Sequence, residues 1–385
     1  MRNIILTLTM LLVSLAGKSQ VADSLPALLT DMNVQIESTE GINSMYNFDF
    51  KRADSQFRWI KSKYPWHPLP DFLLGLSQWW RIMPNVLNEQ YDEEFLFHMD
   101  SAIVKAEQIY ERGSIIEGSF ILAAAYAFKG RLYAERKDWG KAASAASSAM
   151  GYLEECRGKE EFSPEILFGD GLYNYYIEWI PENYPMLKPI IMFFEDGDKK
   201  LGIQQLKDAA NNAFYTRTEA QYFLMRIQAN ELKDQQAALF TADYLHKTYP
   251  NNAYFERYYA RILYSNGQYR RCQQVAHDIL HKIDSAYLGY EANSGRYAAF
   301  FLGEVYSAKG DYETAKKYFE LSIKYGDEIG AQEMGYYIYS VLNLGEIAMK
   351  EGNEDEAKDY FKRVKKLSDR GDRSNKLAKR YLKEM

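Results

Sequence analysis

Two stretches of the 385-residue chain share one spacing of small and large apolar residues. Residues 302–319 read LGEVYSAKGDYETAKKYF, and residues 344–361 read LGEIAMKEGNEDEAKDYF, so the pattern returns after 42 residues. Each stretch opens on a Leu-Gly pair, continues to an alanine and ends on a phenylalanine. Apolar residues at intervals of three and four predict helices, and a repeat of this length predicts stacked helical hairpins.

The same spacing occurs in earlier parts of the chain and resembles that of the tetratricopeptide repeat. In such a hairpin a small residue of the first helix faces a small residue of the second, so the two backbones approach closely. We expect Gly303 to face Ala315 in this way. The positions expected to carry this packing are Gly41, Ala53, Gly130, Ala142, Ala260, Gly303, Ala315, Gly345 and Ala357.

The pattern as a whole predicts an all-α fold, because alternating strand-like runs are lacking. We expect an α-solenoid of about eight tetratricopeptide-like hairpins with a C-terminal capping helix over residues 371–385. A solenoid needs a polar terminal unit, since each hairpin buries its apolar face only against its neighbours. The expected hairpins span residues 25–65, 67–112, 115–157, 164–213, 216–249, 252–284, 290–325 and 333–368.

Composition argues against several classes of protein. The formal net charge is −6, which argues against nucleic acid as a partner because phosphate binding needs a basic face. Two cysteines are too few for a disulfide scaffold or a four-cysteine metal site. Cys156 and Cys272 are expected to be buried and unpaired, because such distant residues rarely meet in an extended repeat array.

Residues 1–19 are predicted to form a secretory signal peptide. Arg2 precedes the apolar run Ile4–Leu15, which is shorter than the roughly 20 residues of a membrane span and is followed by small residues. No cysteine follows the run, so we expect no lipid anchor. Residues 20–385 would then form one exported solenoid without a stable membrane span, periplasmic or, as the alternative, secreted. A buried N-terminal helix is the other interpretation of the run.

The fourth expected hairpin, residues 164–213, departs from the repeat pattern. It contains the glycine pair Gly169 and Gly171, then Pro181, and then Gly197-Asp198. In these residues the segment resembles the family of the inclusion-body clearance protein and the tetratricopeptide-39 proteins. The resemblance implies an all-helical repeat fold and no catalytic residues.

An apolar run, MLKPIIMFF over residues 186–194, lies inside the same hairpin. It is interpreted either as a hydrophobic lid over a binding groove or as additional core beneath a long insertion. We expect additional core.

The chain shows no complete motif for catalysis, metal binding or phosphate binding. His277 and His281 stand four residues apart, as two zinc ligands do, but Asp278 replaces the glutamate of the metalloprotease motif and no third ligand is evident. A metal-dependent hydrolase is therefore a weak hypothesis. We expect no enzyme activity, no cofactor and no bound metal.

Adjacent tyrosines suggest where a partner would bind. Tyr258-Tyr259 and Tyr336-Tyr337 are pairs whose members point in different directions on a helix, so one of each pair is available to a ligand. The other interpretation is that these rings fill the space between repeats. We predict an exported scaffold that binds another protein or peptide on its concave surface. The alternative is a soluble nutrient- or glycan-binding protein that uses surface aromatics.

Overall fold

The structure is a computed structural model that describes residues 26–192 and 194–385. Within that part of the chain there are 17 helices of at least 12 residues and no strand. The first nine are α1 (Met32–Tyr46), α2 (Phe50–Lys63), α3 (Leu69–Ile82), α4 (Asp92–Glu111), α5 (Ile115–Glu135), α6 (Trp139–Cys156), α7 (Ile166–Asn183), α8 (Lys199–Asn212) and α9 (Arg217–Asn230). The others are α10 (Gln235–Thr248), α11 (Ala253–Ser265), α12 (Tyr269–Asp284), α13 (Ala292–Ala308), α14 (Tyr312–Glu328), α15 (Gly335–Lys350), α16 (Glu354–Leu367) and α17 (Arg373–Glu384).

Consecutive helices pack in pairs, from α1 with α2 to α15 with α16, and form eight hairpins. The first helix of a hairpin also contacts the first helix of the next one, as α11 does with α13 and α13 with α15. Helix α17 packs on α16 and α15. The predicted all-α solenoid of eight hairpins with a C-terminal capping helix is confirmed. The proposed signal peptide, residues 1–19, lies outside the described residues.

The turn inside a hairpin follows from three adjacent residues. In the seventh hairpin α13 ends at Ala308, and Gly310 takes a left-handed backbone conformation with φ of 79°. Asp311 then caps α14, because its carboxylate accepts a hydrogen bond from the backbone N–H of Thr314 at 3.1 Å. A glycine makes this backbone conformation possible without steric strain, and the aspartate satisfies a helix N–H that has no partner within the helix.

The glycine of the repeat meets a phenylalanine of the second helix. A Cβ atom added to Gly303 would lie 2.6 Å from the ring of Phe319, and one added to Gly345 would lie 2.7 Å from the ring of Phe361. The atoms nearest to Gly303 therefore belong to Phe319 rather than to Ala315. The ring one helical turn beyond Ala315 thus covers the glycine, and the expected facing of Gly303 and Ala315 stays a prediction.

Two further glycines were expected to carry the packing, and only one of them meets a phenylalanine ring. A Cβ atom added to Gly41 would lie 2.7 Å from the ring of Phe57. For Gly130 the three atoms nearest to an added Cβ belong instead to Ala142, Ala145 and Ala146, all at 3.5 Å. Among the alanines expected to carry the packing, Ala142 is half-buried, and the fully buried ones are Ala53, Ala260, Ala315 and Ala357.

The array curls until its beginning touches its later hairpins. Asn252 donates a hydrogen bond to the backbone oxygen of Tyr46 at 2.7 Å. The backbone oxygen of Pro84, in the insertion after α3, accepts hydrogen bonds from Arg257 and from Asn293, each at 2.9 Å. The extended array that the sequence suggested is therefore closed, because polar side chains of α11 and α13 satisfy backbone oxygens of the first two hairpins.

The two cysteines remain apart in this closed array. Cys156 and Cys272 are both buried and neither forms a disulfide. Burial raises the pKa of each thiol to about 12. Both side chains therefore act as small apolar residues of the core.

The segment between α7 and α8 lies on the surface. It forms a 3-10 turn at Pro185–Leu187 and a single helical turn at Lys188–Ile191. Met186 and Met192 keep 82% and 75% of their surface exposed. The expectation that the run 186–194 is additional core is therefore wrong for these two side chains. None of the helices in the described part of the chain combines the length and hydropathy that a membrane span requires.

Candidate functional site

A continuous line of arginine and tyrosine side chains runs across the first helices of five hairpins. It starts on α5, crosses α9, α11 and α13, and ends on α15. Neighbouring members contact each other through hydrogen bonds or through a guanidinium over an aromatic ring. We call it the arginine–tyrosine row, and its members are Arg131, Tyr222, Arg226, Tyr254, Arg257, Tyr258, Arg261, Arg296, Tyr297 and Tyr336.

The row begins around the hydroxyl group of Tyr222. That oxygen accepts hydrogen bonds from Arg131 at 3.3 Å and from Arg226 at 2.9 Å. The hydroxyl of Tyr254 lies 3.4 Å from it. One phenolic oxygen therefore stands between two guanidinium groups of different hairpins.

The middle of the row is the ring of Tyr258. It stacks on Tyr254 with ring centroids 5.2 Å apart, and the guanidinium of Arg261 lies 5.3 Å from its centroid. Burial raises the pKa of Tyr258, but the positive charges of Arg226 and Arg261 outweigh this effect, so the pKa is lowered. The direction of the shift indicates a positive potential at this point of the row.

The far end of the row contains two buried arginines. Arg257 and Arg296 keep 5% and 3% of their surface exposed, and each has its guanidinium over the ring of Tyr297. Burial and the charge of Arg257 lower the pKa of Arg296. Tyr297 in turn packs on Tyr336, with ring centroids 4.5 Å apart.

Within the described residues, none of the five arginines of the row forms an ion pair with a carboxylate at 4.0 Å or less. Their partners are neutral: Arg261 donates to the Asn230 side chain at 2.8 Å, and Arg296 donates to the Asn293 side chain at 3.3 Å. Buried cations are normally paired. Five guanidinium groups without a carboxylate partner in the described part of the chain thus lie in one contiguous line.

The predicted partner tyrosines divide between two environments. Tyr258 and Tyr336 lie half-buried in the row. Tyr259 and Tyr337 point elsewhere and are 4% and 1% exposed. Their hydroxyls donate to Asp243 at 2.7 Å and to Asp327 at 2.9 Å, so these two residues are packed against the second helices and cannot form a partner surface.

An apolar cavity of about 620 Å³ lies beside the start of the row. It is lined mainly by α3, α5, α6 and α7, together with Ile191 and Phe194 of the surface segment. Arg131 and Glu219 are the basic and the acidic residue among those that line it. Glu219 accepts hydrogen bonds from Trp80 at 2.9 Å and from Tyr46 at 3.2 Å, and burial raises its pKa.

The family-like residues of the fourth hairpin hold α7 against its neighbours. A Cβ atom on Gly171 would lie 2.8 Å from Leu206 of α8, and one on Gly169 would lie 2.8 Å from Leu153 of α6. A Cβ atom on Gly197 would lie 2.6 Å from the backbone oxygen of Asn174. Two further residues shape the helix ends, since Pro181 lies in the last turn of α7 and Asp198 caps α8.

The two histidines that suggested a metal site are exposed on α12. In the ranges 26–192 and 194–385, no group of three or more His, Cys, Asp and Glu side chains is arranged to hold a metal ion. Burial and Lys309 lower the pKa of His277, while Asp278 is paired with Lys282 at 2.8 Å.

The sequence contains a signal for the row outside the motifs considered above. Arg226, Arg261 and Arg296 follow one another at intervals of 35 residues, close to the length of one hairpin of this array. A cation that returns at nearly the length of the repeat falls on successive first helices. The absence of carboxylates from those positions could be recognised only in the structure, because it depends on contacts between distant hairpins.

Comparison with known proteins supports the repeat architecture. The model of the tetratricopeptide repeat family matches residues 297–325 and 338–370. No curated protein sequence matches the chain. Among solved structures, human IFIT1, described as a dimer with PPP-AAAA, is similar at 15% identity with a TM-score of 0.43. That match covers 82% of this chain and 68% of the other. The last two hairpins are thus tetratricopeptide repeats by sequence, within a chain that folds as a tetratricopeptide-like α-solenoid.

Proposed function

We propose that the chain is a binding scaffold without catalytic activity, and that it holds an acidic segment of another protein or peptide on the arginine–tyrosine row. The carrying observation is the set of five guanidinium groups that have no carboxylate partner within the described residues. Carboxylates of a ligand would form charge-assisted hydrogen bonds with Arg131, Arg226 and Arg261, which are half-buried. These guanidinium groups are already partly removed from water and are held in place by their neighbours. A ligand therefore loses less free energy in desolvating and ordering them.

The repeat architecture supports a polypeptide as the partner, since tetratricopeptide repeats bind proteins or peptides. The formal net charge of −6 disfavours a long polyanion outside the row. Arginine beside tyrosine also suits single-stranded nucleic acid, in which bases stack on aromatic rings. The binding experiment therefore includes an oligonucleotide, and we expect the oligonucleotide to bind more weakly than an acidic peptide.

The alternative of a nutrient- or glycan-binding protein has less support. It relied on paired surface tyrosines, of which Tyr259 and Tyr337 are buried. The ring of Tyr258 lies against Arg261 and Tyr254, and the ring of Tyr336 packs on Tyr297 and Phe300, so neither is free on both faces.

The proposal also covers the cellular location of the protein and its relationship to a narrower family. Export to the periplasm, or secretion, rests on the apolar run of residues 4–15 and on the small residues after it. The relationship to the inclusion-body clearance and tetratricopeptide-39 family rests on the glycines and Pro181 of the fourth hairpin. Both stay predictions from sequence.

The binding of an acidic peptide is tested with fluorescein-labelled hexaglutamate and the full chain, by fluorescence anisotropy at low salt. The double variant Arg226→Gln/Arg261→Gln is expected to bind at least about tenfold more weakly, because charged hydrogen bonds contribute about 1.5–3 kcal/mol each. The matched control is Arg52→Gln/Arg58→Gln, which removes two charges from the exposed face of α2. Equal affinity of the two double variants, or tighter binding of a labelled oligothymidine than of hexaglutamate, would overturn the proposal.

A further inference from the structure

The apolar cavity lies at a hairpin that lacks the phenylalanine found in three others. In three hairpins the glycine of the first helix is followed after 16 residues by a ring that covers it, as Phe319 covers Gly303. In the third hairpin the residue 16 positions after Gly130 is Ala146. Ala146 lines the cavity, and no ring atom lies closer than 3.5 Å to a Cβ atom added to Gly130. The missing side chain leaves space between α5, α6 and α7.

The cavity is long, apolar and open to solvent. Its wall on α5 extends from Phe120 to Arg131, which corresponds to about 16 Å of helix. Ala127, Ala143 and Ala146 belong to the wall and still have exposed surface, so solvent reaches the interior. The volume of about 620 Å³ lies within the range of roughly 300–1,000 Å³ typical of small-molecule sites.

The polar groups of the wall are few and mostly engaged. The hydroxyl of Tyr173 donates to the backbone oxygen of Glu195 at 2.8 Å, and that of Thr216 donates to Glu165 at 2.7 Å. A peptide inserted here would leave its backbone N–H and C=O groups without partners, which is costly in an apolar site. A hydrocarbon chain has no such groups along its length, so it suits the wall better than a polypeptide does.

Arg131 gives the cavity one cation that no carboxylate of the described chain pairs with at 4.0 Å or less. Its neighbours are the hydroxyl of Tyr222 at 3.3 Å, the sulfur of Met83 at 3.6 Å and the ring of Trp79. It is the wall residue nearest to the C-terminal end of α5. The cavity thus combines a long apolar wall with one positive group at the end of that wall, while the acid among its lining residues, Glu219, accepts hydrogen bonds from Trp80 at 2.9 Å and Tyr46 at 3.2 Å.

We propose that this cavity binds a single-chain fatty acid, with the acyl chain along the apolar wall and the carboxylate paired with Arg131. Each methylene group that leaves water strengthens binding, and the ion pair fixes the direction of the chain. The cavity shares Arg131 with the surface proposed for an acidic peptide, but Arg226 and Arg261, the two arginines by which that surface is tested, do not line the cavity.

The test uses cis-parinaric acid, a fluorescent fatty acid, with the purified full chain, followed by displacement with dodecanoate and with dodecan-1-ol. Arg131→Gln is expected to weaken dodecanoate binding by about 10- to 100-fold while leaving the affinity for the alcohol unchanged, because it removes a charged hydrogen bond. Lys129→Gln, on the same helix but paired with Asp100 outside the cavity, is the control and should bind as the wild type does.

A second pair of variants tests the volume of the site. Ala146→Phe restores the phenylalanine that three other hairpins carry and is expected to reduce binding of both compounds at least about tenfold, since it fills the cavity. Ser144→Phe places the same ring at an exposed position of α6 that does not line the cavity, and it should leave binding unchanged. Circular dichroism confirms that each variant is folded.

Failure of the wild type to bind cis-parinaric acid saturably would overturn the site. So would unchanged dodecanoate affinity in Arg131→Gln, which remains informative if Ala146→Phe does not fold. Ala146→Phe should bind hexaglutamate as the wild type does, so this proposal and the proposed peptide site fail separately.

Discussion

Arg226 and Arg131, from hairpins that are not neighbours in sequence, donate hydrogen bonds to the same oxygen, the hydroxyl of Tyr222. Tyr222 is fully buried. The two guanidinium groups therefore share one neutral acceptor in a part of the protein that holds few carboxylates. This arrangement is stable only if the acceptor stays in place, because each cation would otherwise lose a partner away from water.

Removal of that acceptor should be costly. Tyr222→Phe is expected to lower the free energy of unfolding by about 1–3 kcal/mol, since two donors lose their shared partner. Tyr269→Phe is the control, because Tyr269 is 52% exposed, and its change should stay within about 0.5 kcal/mol. Urea denaturation measures both. Equal midpoints for the two variants would show that the Tyr222 hydroxyl does not support the arginines.

The repeat glycine makes a second prediction about stability. Gly303→Ala would place a Cβ atom 2.6 Å from the Phe319 ring, and we expect it to cost about 1–3 kcal/mol through overpacking. Gly151→Ala is the matched change in α6, where no atom lies within 4 Å of the new Cβ. That variant should be neutral or more stable by up to about 1 kcal/mol, because alanine favours helix. Thermal denaturation that ranks the two in the opposite order would refute the packing described here.

The buried carboxylate of Asp71 predicts a dependence of stability on acid pH. Burial alone would raise its pKa, but the adjacent His98 and hydrogen bonds from Lys105 at 2.7 Å and Lys61 at 2.6 Å hold it well below its ordinary value. A depressed pKa stabilises the fold above the ordinary value of 3.8, and the contribution is lost as the pH falls below it. Asp71→Asn should therefore be less stable by about 1–3 kcal/mol at pH 7.

The difference between wild type and Asp71→Asn should shrink as the pH falls below 3.8, the ordinary value, towards the lowered pKa at which the wild-type carboxyl binds a proton. Urea melts at several pH values measure it. A constant difference across the range would mean that the lysines do not stabilise the ionised form.

Glu256 predicts the opposite slope nearer to neutrality. Burial and the adjacent Asp278 raise its pKa to about 7, although Lys282 lies 2.8 Å away. Between the ordinary value of 4.5 and about 7 the folded state binds the extra proton, so this group makes the fold less stable as the pH rises through that range. The effect amounts to about 3 kcal/mol at most. Glu256→Gln should not show this loss of stability with rising pH. If the free energy of unfolding depends on pH in the same way for wild type and variant, the raised pKa of Glu256 is contradicted.

The hairpins could be predicted from the sequence because their pattern is local. Gly303 and Phe319 lie within one hairpin, and the spacing between them is set by two helices and a short turn. The closure of the array could not be predicted, since the contact of Pro84 with Arg257 joins residues 173 positions apart and depends on the small rotation between successive repeats.

Only those features of the candidate site that depend on local sequence could be predicted. The sequence indicated that at least one tyrosine of each pair would be available to a partner, and Tyr258 and Tyr336 lie in the row. It did not indicate the arginines around them, because an arginine at a repeat position is normally paired with an acid nearby. The cavity could not be predicted either. Ala146 in place of a phenylalanine becomes informative only when the atoms around Gly130 are known.

A reversal of charge tests the central claim most directly. The wild type is expected to bind labelled hexaglutamate and not labelled hexalysine, because Arg226 and Arg261 supply the positive potential of the row. Arg226→Glu/Arg261→Glu, confirmed as folded by circular dichroism, should lose the acidic peptide and gain affinity for the basic one. If the reversed variant binds hexaglutamate as tightly as the wild type does, the arginine–tyrosine row is not the binding surface.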